Sequence, residues 1–271
     1  MKWIDAIIKV LQEEGKSMHY EEIAQKILDK NFRTKVGATP AATVVSIITT
    51  DINQKKEESA FIRVGLGEYF LRHSTQVIIS PEVVSAEEEI EEQKKIDEAV
   101  KEFTDQGIIK TFGMYWSRDY ILWKNNPTLY GAEQRGSTPV NFGSQIGIYL
   151  LHDGRDVIYI GQALEQSIAQ RLYQHTSDRL GGRWNRFSWF GLRGVKQNGI
   201  LTDIASQLTT SLSELTNTLE AILVEALEPR QNRKRGNMFY GLEFIQEKDP
   251  ELSKRDMVSL LDDMKEQLIK R

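Results

Sequence analysis

Apolar positions in the first seventy residues recur at helical spacing and then switch to runs typical of strands. Trp3, Ile7, Ile8, Val10 and Leu11 place a stripe on a first helix that Gly15 ends. His19-Tyr20-Glu21-Glu22 opens a second, with Ile23, Ile27 and Leu28 facing inward. Thr39 is predicted to cap a third helix, with Pro40 at its first position, where a missing N–H costs nothing. That helix carries Val44, Val45, Ile47, Ile48 and Ile52. Phe61-Ile62-Arg63-Val64 and Glu68-Tyr69-Phe70-Leu71, joined through Gly65-Leu66-Gly67, read as a hairpin. Residues 1–73 therefore predict a winged helix.

The pattern then breaks. Ser80-Pro81 starts a linker, and Glu87 to Phe103 reads as a charged spacer helix with little apolar content, so residues 74–105 form an acidic linker. Between residues 106 and 140, Met114-Tyr115-Trp116, Tyr120-Ile121-Leu122-Trp123 and Tyr130-Gly131 predict strands or packed loops. Their aromatics read as core rather than as base-stacking platforms. Two β-favouring runs follow, Ile146 to Leu151 and Val157 to Ile160, separated by a charged segment containing Asp153-Gly154. Asp-Gly is a hairpin turn signal, so Tyr149 and Tyr159 fall on neighbouring antiparallel strands.

Ser167 and Gln170 make a capping-box pattern for a helix running to about Arg179, which places Arg171 and His175 one turn apart on one face. Arg183 to Phe190 alternates into a strand, with Phe187 and Trp189 on one side and Arg186 and Ser188 on the other. A further helix over Leu219 to Leu227 predicts a buried stripe of Leu219, Ile222, Leu223, Ala226 and Leu227. Glu220 flanks that stripe, while Glu225 and Glu228 lie nearer the wet face. The tail has Met257, Leu260, Leu261, Met264 and Leu268 at helical spacing, predicting a docking or dimerising helix. The expected fold class is α+β: winged helix 1–73, linker 74–105, a second domain over 106–245 with a small antiparallel sheet flanked by helices, and a C-terminal helix over 246–271.

Composition narrows the chemistry. The 271-residue chain has formal charge −4, which alone argues against a nucleic-acid partner. Glu82 to Asp105, however, holds ten acids against three bases, so the rest is mildly basic. The absence of cysteine excludes disulfides, thiolate metal sites and a cysteine nucleophile. With neither a signal-peptide core nor a run long enough to span a bilayer, the expectation is a cytoplasmic location without a membrane partner.

Two resemblances give these residues roles. The N-terminal segment resembles the HARE-HTH winged-helix family through Trp3, Met18-His19-Tyr20, Glu22-Ile23, Thr39-Pro40, the helix through Asp51, Phe61 to Gly65, and Tyr69-Phe70-Leu71. That family is associated with DNA. Residues 145–236 resemble the GIY-YIG nuclease superfamily, in its restriction-endonuclease-like branch. The match lies in Gly147-Ile148-Tyr149, Tyr159-Ile160-Gly161, Arg171, His175, Glu220 and Asn232, with Glu228-Pro229-Arg230-Gln231-Asn232 supplying the turn and the Asn. Gln162 departs from the Lys of the repair branch, and Gly194 to Ser213 is an insertion whose role the sequence leaves open.

The resemblance implies metal-assisted hydrolysis of double-stranded DNA. It assigns catalytic roles to Tyr149, Tyr159, Arg171, His175, Glu220 and Asn232. Glu220 is the expected ligand of one Mg²⁺ (or Mn²⁺), with Glu225 as the alternative ligand. Arg179, Arg183, Arg186, Arg230, Arg233 and Lys234 are candidate phosphate contacts. Restriction, or cleavage dependent on DNA modification, is the expected role. The alternatives are a structure-specific repair nuclease and a catalytically silent DNA-binding module. A homodimer through the linker or the C-terminal helix would bring two sites to two strands. The third helix carries few basic or amide groups before Asn53, Gln54, Lys55 and Lys56. The winged helix is therefore expected to read DNA through its loops and wing, or to bind protein instead.

Overall fold

The computed structural model describes residues 1–65, 67–72, 107–203, 212–227 and 241–269. The acidic linker, Arg230, Asn232, Arg233 and Lys234 lie outside the described residues. Within them the chain is mixed α+β, with a helical winged-helix unit followed by a sheet-containing unit.

The winged helix forms as the apolar spacing requires. Helix α1 (Trp3–Glu14) buries Trp3, Ala6, Ile7, Ile8, Val10 and Leu11 and stops where Gly15 takes a left-handed conformation. Strand β1 (Met18–His19) leads into α2 (Tyr20–Asp29), which buries Ile23, Ala24 and Ile27. Helix α3 is Pro40–Lys55. The wing strands β2 (Phe61–Gly65) and β3 (Glu68–Leu71) pair antiparallel, and β1 adds to the other edge of β3.

The second unit is built on a five-stranded sheet. In spatial order its strands are β10 (Leu242–Glu243), β4 (Thr111–Ser117), β9 (Arg186–Gly191), β7 (Gly147–Asp153) and β8 (Asp156–Ala163). Strand β10 runs parallel to β4, and the other pairings are antiparallel. A smaller sheet joins β5 (Tyr130–Ala132), β6 (Val140–Asn141) and β11 (Ile245–Gln246). Trp116, Phe142, Phe187, Trp189 and Phe244 are fully or nearly fully buried and meet mostly edge to face. Their cluster runs without a break into the winged-helix core.

The join between the units corrects one expectation. Thr39 does not cap α3: its side chain makes no capping hydrogen bond. The cap comes from Glu133, just after β5, whose carboxylate accepts from the backbone N–H of Ala41 at 2.9 Å and of Ala42 at 3.3 Å. Around it, Gln197 donates its side-chain amide to Thr43 Oγ1 at 2.7 Å, and its carbonyl accepts from Ala38 N. Thr138 N donates to Gly37 O. Part of the 194–213 insertion is thus a clasp on the winged helix. The carboxylate replaces the local cap because Pro40 lacks an N–H, and the next two donors point into the neighbouring unit.

Two further expectations fail in packing. Helix α5 (Leu212–Leu227) buries Thr218, Ala221 and Ala226 and packs Ile222 inward, whereas Leu219, Leu223 and Leu227 are 52%, 55% and 62% exposed. Small residues set the helix closely on a narrow patch formed by Ile109, Phe112, Leu150 and Phe190. The leucines lie on another side of the helix. In α6 (Pro250–Ile269) Met257, Leu260, Leu261 and Met264 are exposed rather than docked on the chain. None of the helices among the described residues is long and apolar enough to cross a membrane.

Glu133 makes the junction sensitive to pH. Burial pushes its carboxyl up to about 8 from 4.5, against the opposing pull of the Ala41 and Ala42 amides. A folded-state value above the unfolded one means the native state holds a proton that the unfolded chain releases. The stability from this group is therefore full below about 4.5 and is lost as pH rises through about 8. Glu133→Gln cannot ionise, so its melting temperature relative to wild type should climb between pH 5 and 8.5. A difference that stays constant over that range would contradict this.

Candidate functional site

The hairpin of β7 and β8 places its two tyrosines on one face of the sheet. Tyr149 pairs with Gly161, Tyr159 pairs with Leu151, and cross-strand partners share a face. The glycines of both triplets have steric reasons to be glycine. Gly147 adopts φ 145°, and a Cβ there would lie 2.0 Å from the Phe190 carbonyl oxygen. A Cβ on Gly161 would lie 2.3 Å from both Cζ and Oη of Tyr149, because the phenol lies across that glycine.

Helix α4 (Ile168–Gln174) covers the same face. Its start is a full capping box, with Gln170 N donating to Ser167 Oγ and Ser167 N donating to Gln170 Oε1, both at 3.2 Å. Ile168, Ala169 and Leu172 are buried against the sheet. The helix ends earlier than expected, with His175 as its C-cap, and the chain then turns instead of continuing to Arg179. His175 N still bonds to Arg171 O at 3.2 Å, so the one-turn relation of the pair survives.

These elements bring four of the predicted residues together. Tyr149 Oη and His175 Nε2 are 2.8 Å apart, and both side chains are buried. The Tyr159 ring meets the imidazole edge-on at 4.9 Å and lies 6.2 Å from the Tyr149 ring. Burial pushes the Tyr149 phenol up to about 12. The Arg171 guanidinium pulls it back down, and Tyr159 adds to the rise. Arg171 Nη1 also donates to Gln174 Oε1 at 2.8 Å. Tyr149 is thus held as a neutral phenol, with a ready acceptor on one side and a cation on the other.

A residue that the sequence reading passed over completes the group. Asp178 Oδ2 lies 2.6 Å from His175 Nδ1, and Asp178 Oδ1 accepts from Leu180 N at 2.7 Å. The His-x-x-Asp spacing was the available signal. Trp184 Nε1 donates to the His175 carbonyl at 3.1 Å, fixing the turn from behind.

Glu220 stands elsewhere. It is exposed on α5, whose buried side rests on Leu150 and Phe190, the face opposite that of Tyr149. Glu225, expected on the wetter side, is the more buried of the two. Among the described residues no three His, Asp or Glu side chains form a ready-made metal cluster. The donors on offer are oxygens, and a single carboxylate completed by water and phosphate oxygens is a common way to hold Mg²⁺. Arg179, Arg183 and Arg186 are exposed near the Asp178 turn, although Arg186 Nη1 also donates to Tyr115 O at 3.0 Å.

Residues 1–74 match the HARE-HTH family, whose description includes the restriction endonuclease HTH domain. The N-terminal unit is therefore a helix-turn-helix module of DNA-binding type. Neither the curated proteins nor the solved structures contain a match to the chain.

The fit of Tyr149 over Gly161 can be checked directly. Gly161→Ala should drive the phenol off His175 and destabilise the protein by about 1–3 kcal/mol, the usual cost of overpacking. Gly182→Ala is the control, since that glycine also has positive φ but has nothing within 4 Å. Thermal melts showing equal losses for the two variants would contradict the packing described.

Proposed function

We propose that the chain is a metal-dependent DNA endonuclease of the GIY-YIG type, guided by its winged helix, acting in restriction or modification-dependent cleavage of foreign DNA. The observation that carries this reading is the buried phenol of Tyr149 held at 2.8 Å from His175 Nε2, beside Arg171 and Tyr159. A structural tyrosine needs one partner. This one has an acceptor, a guanidinium and a second phenol around a single oxygen.

In this mechanism water attacks the phosphorus as Tyr149 Oη takes its proton and passes its own to His175 Nε2. A phenol pushed up to about 12 is a weak acid and its anion a strong base, so the two transfers have to be concerted. Arg171 holds the phosphate as negative charge builds on it, and Tyr159 orients the attacking water. The P–O3′ bond breaks, and the leaving oxygen takes a proton from solvent. A divalent cation held by Glu220, when bound, would supply charge stabilisation to the phosphate and the leaving oxygen.

The clasp constrains how DNA is read. Pro40 to Ser46 of α3 are buried, so the first half of that helix is withdrawn from any groove. Asn53, Gln54 and Lys55 at its exposed end and Arg63 on the wing remain for DNA. A second reading, a catalytically silent DNA-binding module, draws support from Glu220 lying over the other sheet face.

Glu220→Ala separates the two readings. Under the nuclease reading, wild type cuts plasmid with Mg²⁺ or Mn²⁺ and not with EDTA, while the variant binds DNA equally and cuts at least about 100-fold more slowly. Equal cutting by the variant would remove Glu220 from the mechanism, and no cutting by wild type would favour the silent module. Digesting modified and unmodified DNA in parallel then reports the recognition rule.

A further inference from the structure

We propose that Asp178 is a positioning residue, holding His175 in the tautomer whose Nε2 lone pair faces the Tyr149 phenol. Its importance to catalysis rests on the nuclease reading above, whereas the holding itself does not.

The geometry divides the work of one carboxylate. Oδ1 accepts from the Leu180 amide at 2.7 Å, and Oδ2 lies 2.6 Å from His175 Nδ1. An ionised carboxylate can only accept, so a neutral His175 must carry its proton on Nδ1. Nε2 is then a bare lone pair, 2.8 Å from Tyr149 Oη, and the phenol must donate to it. Burial works to raise the Asp178 carboxyl, but Leu180, His175 and Arg179 together outweigh it and hold it below the ordinary carboxylate range. It therefore stays an acceptor at neutral pH. The imidazole cannot swing to evade this choice, because Trp184 grips its backbone carbonyl and Tyr159 abuts its ring.

The same arrangement makes Asp178→Asn a directional test. The Leu180 N–H can only donate, so the carbonyl oxygen of the substituted amide must stay with it, and the amide NH₂ turns toward His175 Nδ1. An NH₂ donates, so Nδ1 becomes the acceptor and the proton moves to Nε2. In that form Nε2 points a hydrogen at Tyr149 and cannot take its proton. Asp178→Ala removes the bias altogether and lets both tautomers populate.

The experiment uses the full-length chain, ¹⁵N-labelled at histidine, with long-range ¹H–¹⁵N spectra at neutral pH and Mg²⁺-dependent plasmid cleavage on the same samples. His175→Gln assigns the resonance among the four histidines. Wild type should show His175 protonated on Nδ1, Asp178→Asn on Nε2, and Asp178→Ala a mixture. In the Asp178→Asn variant kcat should fall about 100-fold, within the usual range for general acid–base groups, with KM for DNA unchanged. An Nε2–H tautomer in wild type, or an unchanged tautomer in Asp178→Asn, overturns the proposal. A reversal of tautomer without a change in cleavage, or a wild type that cuts no DNA, upholds the holding role and overturns the nuclease reading instead.

Discussion

The hydrogen bond between the Tyr149 phenol and His175 is the contact on which the rest of the site depends. A hydroxyl removed from water costs several kcal/mol unless it is paired, so burying Tyr149 obliges the fold to deliver an acceptor to one point. The capping box starts α4 at a fixed residue, and the turn at His175 ends it where the imidazole reaches the phenol. Gly161 clears the space the ring occupies. Trp184 and Asp178 then hold the imidazole by its carbonyl and its far nitrogen. Several elements spend their local chemistry on aiming two atoms at each other, which is more than a core contact requires.

The clasp between the two units follows the same logic from the opposite side. A helix that starts with Pro40 still exposes the N–H groups of Ala41 and Ala42, and burial leaves them no water. Glu133 answers both, and in doing so it fastens the winged helix to the unit that carries the tyrosines. The first half of α3 is consequently interior, and DNA is left with the helix end and the wing. Recognition and chemistry are thereby joined through a rigid contact instead of a loose tether. The covered start of α3 also makes sense of its apolar sequence.

Much of this was legible in the chain. The Asp153-Gly154 turn and the flanking β-branched residues set the hairpin, and a period of two put both tyrosines on neighbouring strands. Ser167 and Gln170 marked the start of α4, because a capping box is local. What escaped was either long-range or degenerate. Nothing near Thr39 announces that Glu133, more than ninety residues away, will take over its cap. The leucines of α5 repeat as regularly as a buried stripe would, and periodicity cannot tell which of two apolar faces meets the sheet. Small Thr218, Ala221 and Ala226 won because they allow a closer approach. Asp178 was hidden by a pattern that lets the helix continue, whereas the break after Gln174 is what swings its carboxylate back to His175.

The measurement that bears most directly on this account is strand scission by Tyr149→Phe, which removes one oxygen and leaves the ring. The account predicts a folded variant that binds DNA as wild type does but cleaves Mg²⁺-supplemented plasmid at least about 100-fold more slowly. Cleavage at the wild-type rate would show that the phenol is only a buried partner for His175, and would contradict the assignment of this face of the sheet as the catalytic one.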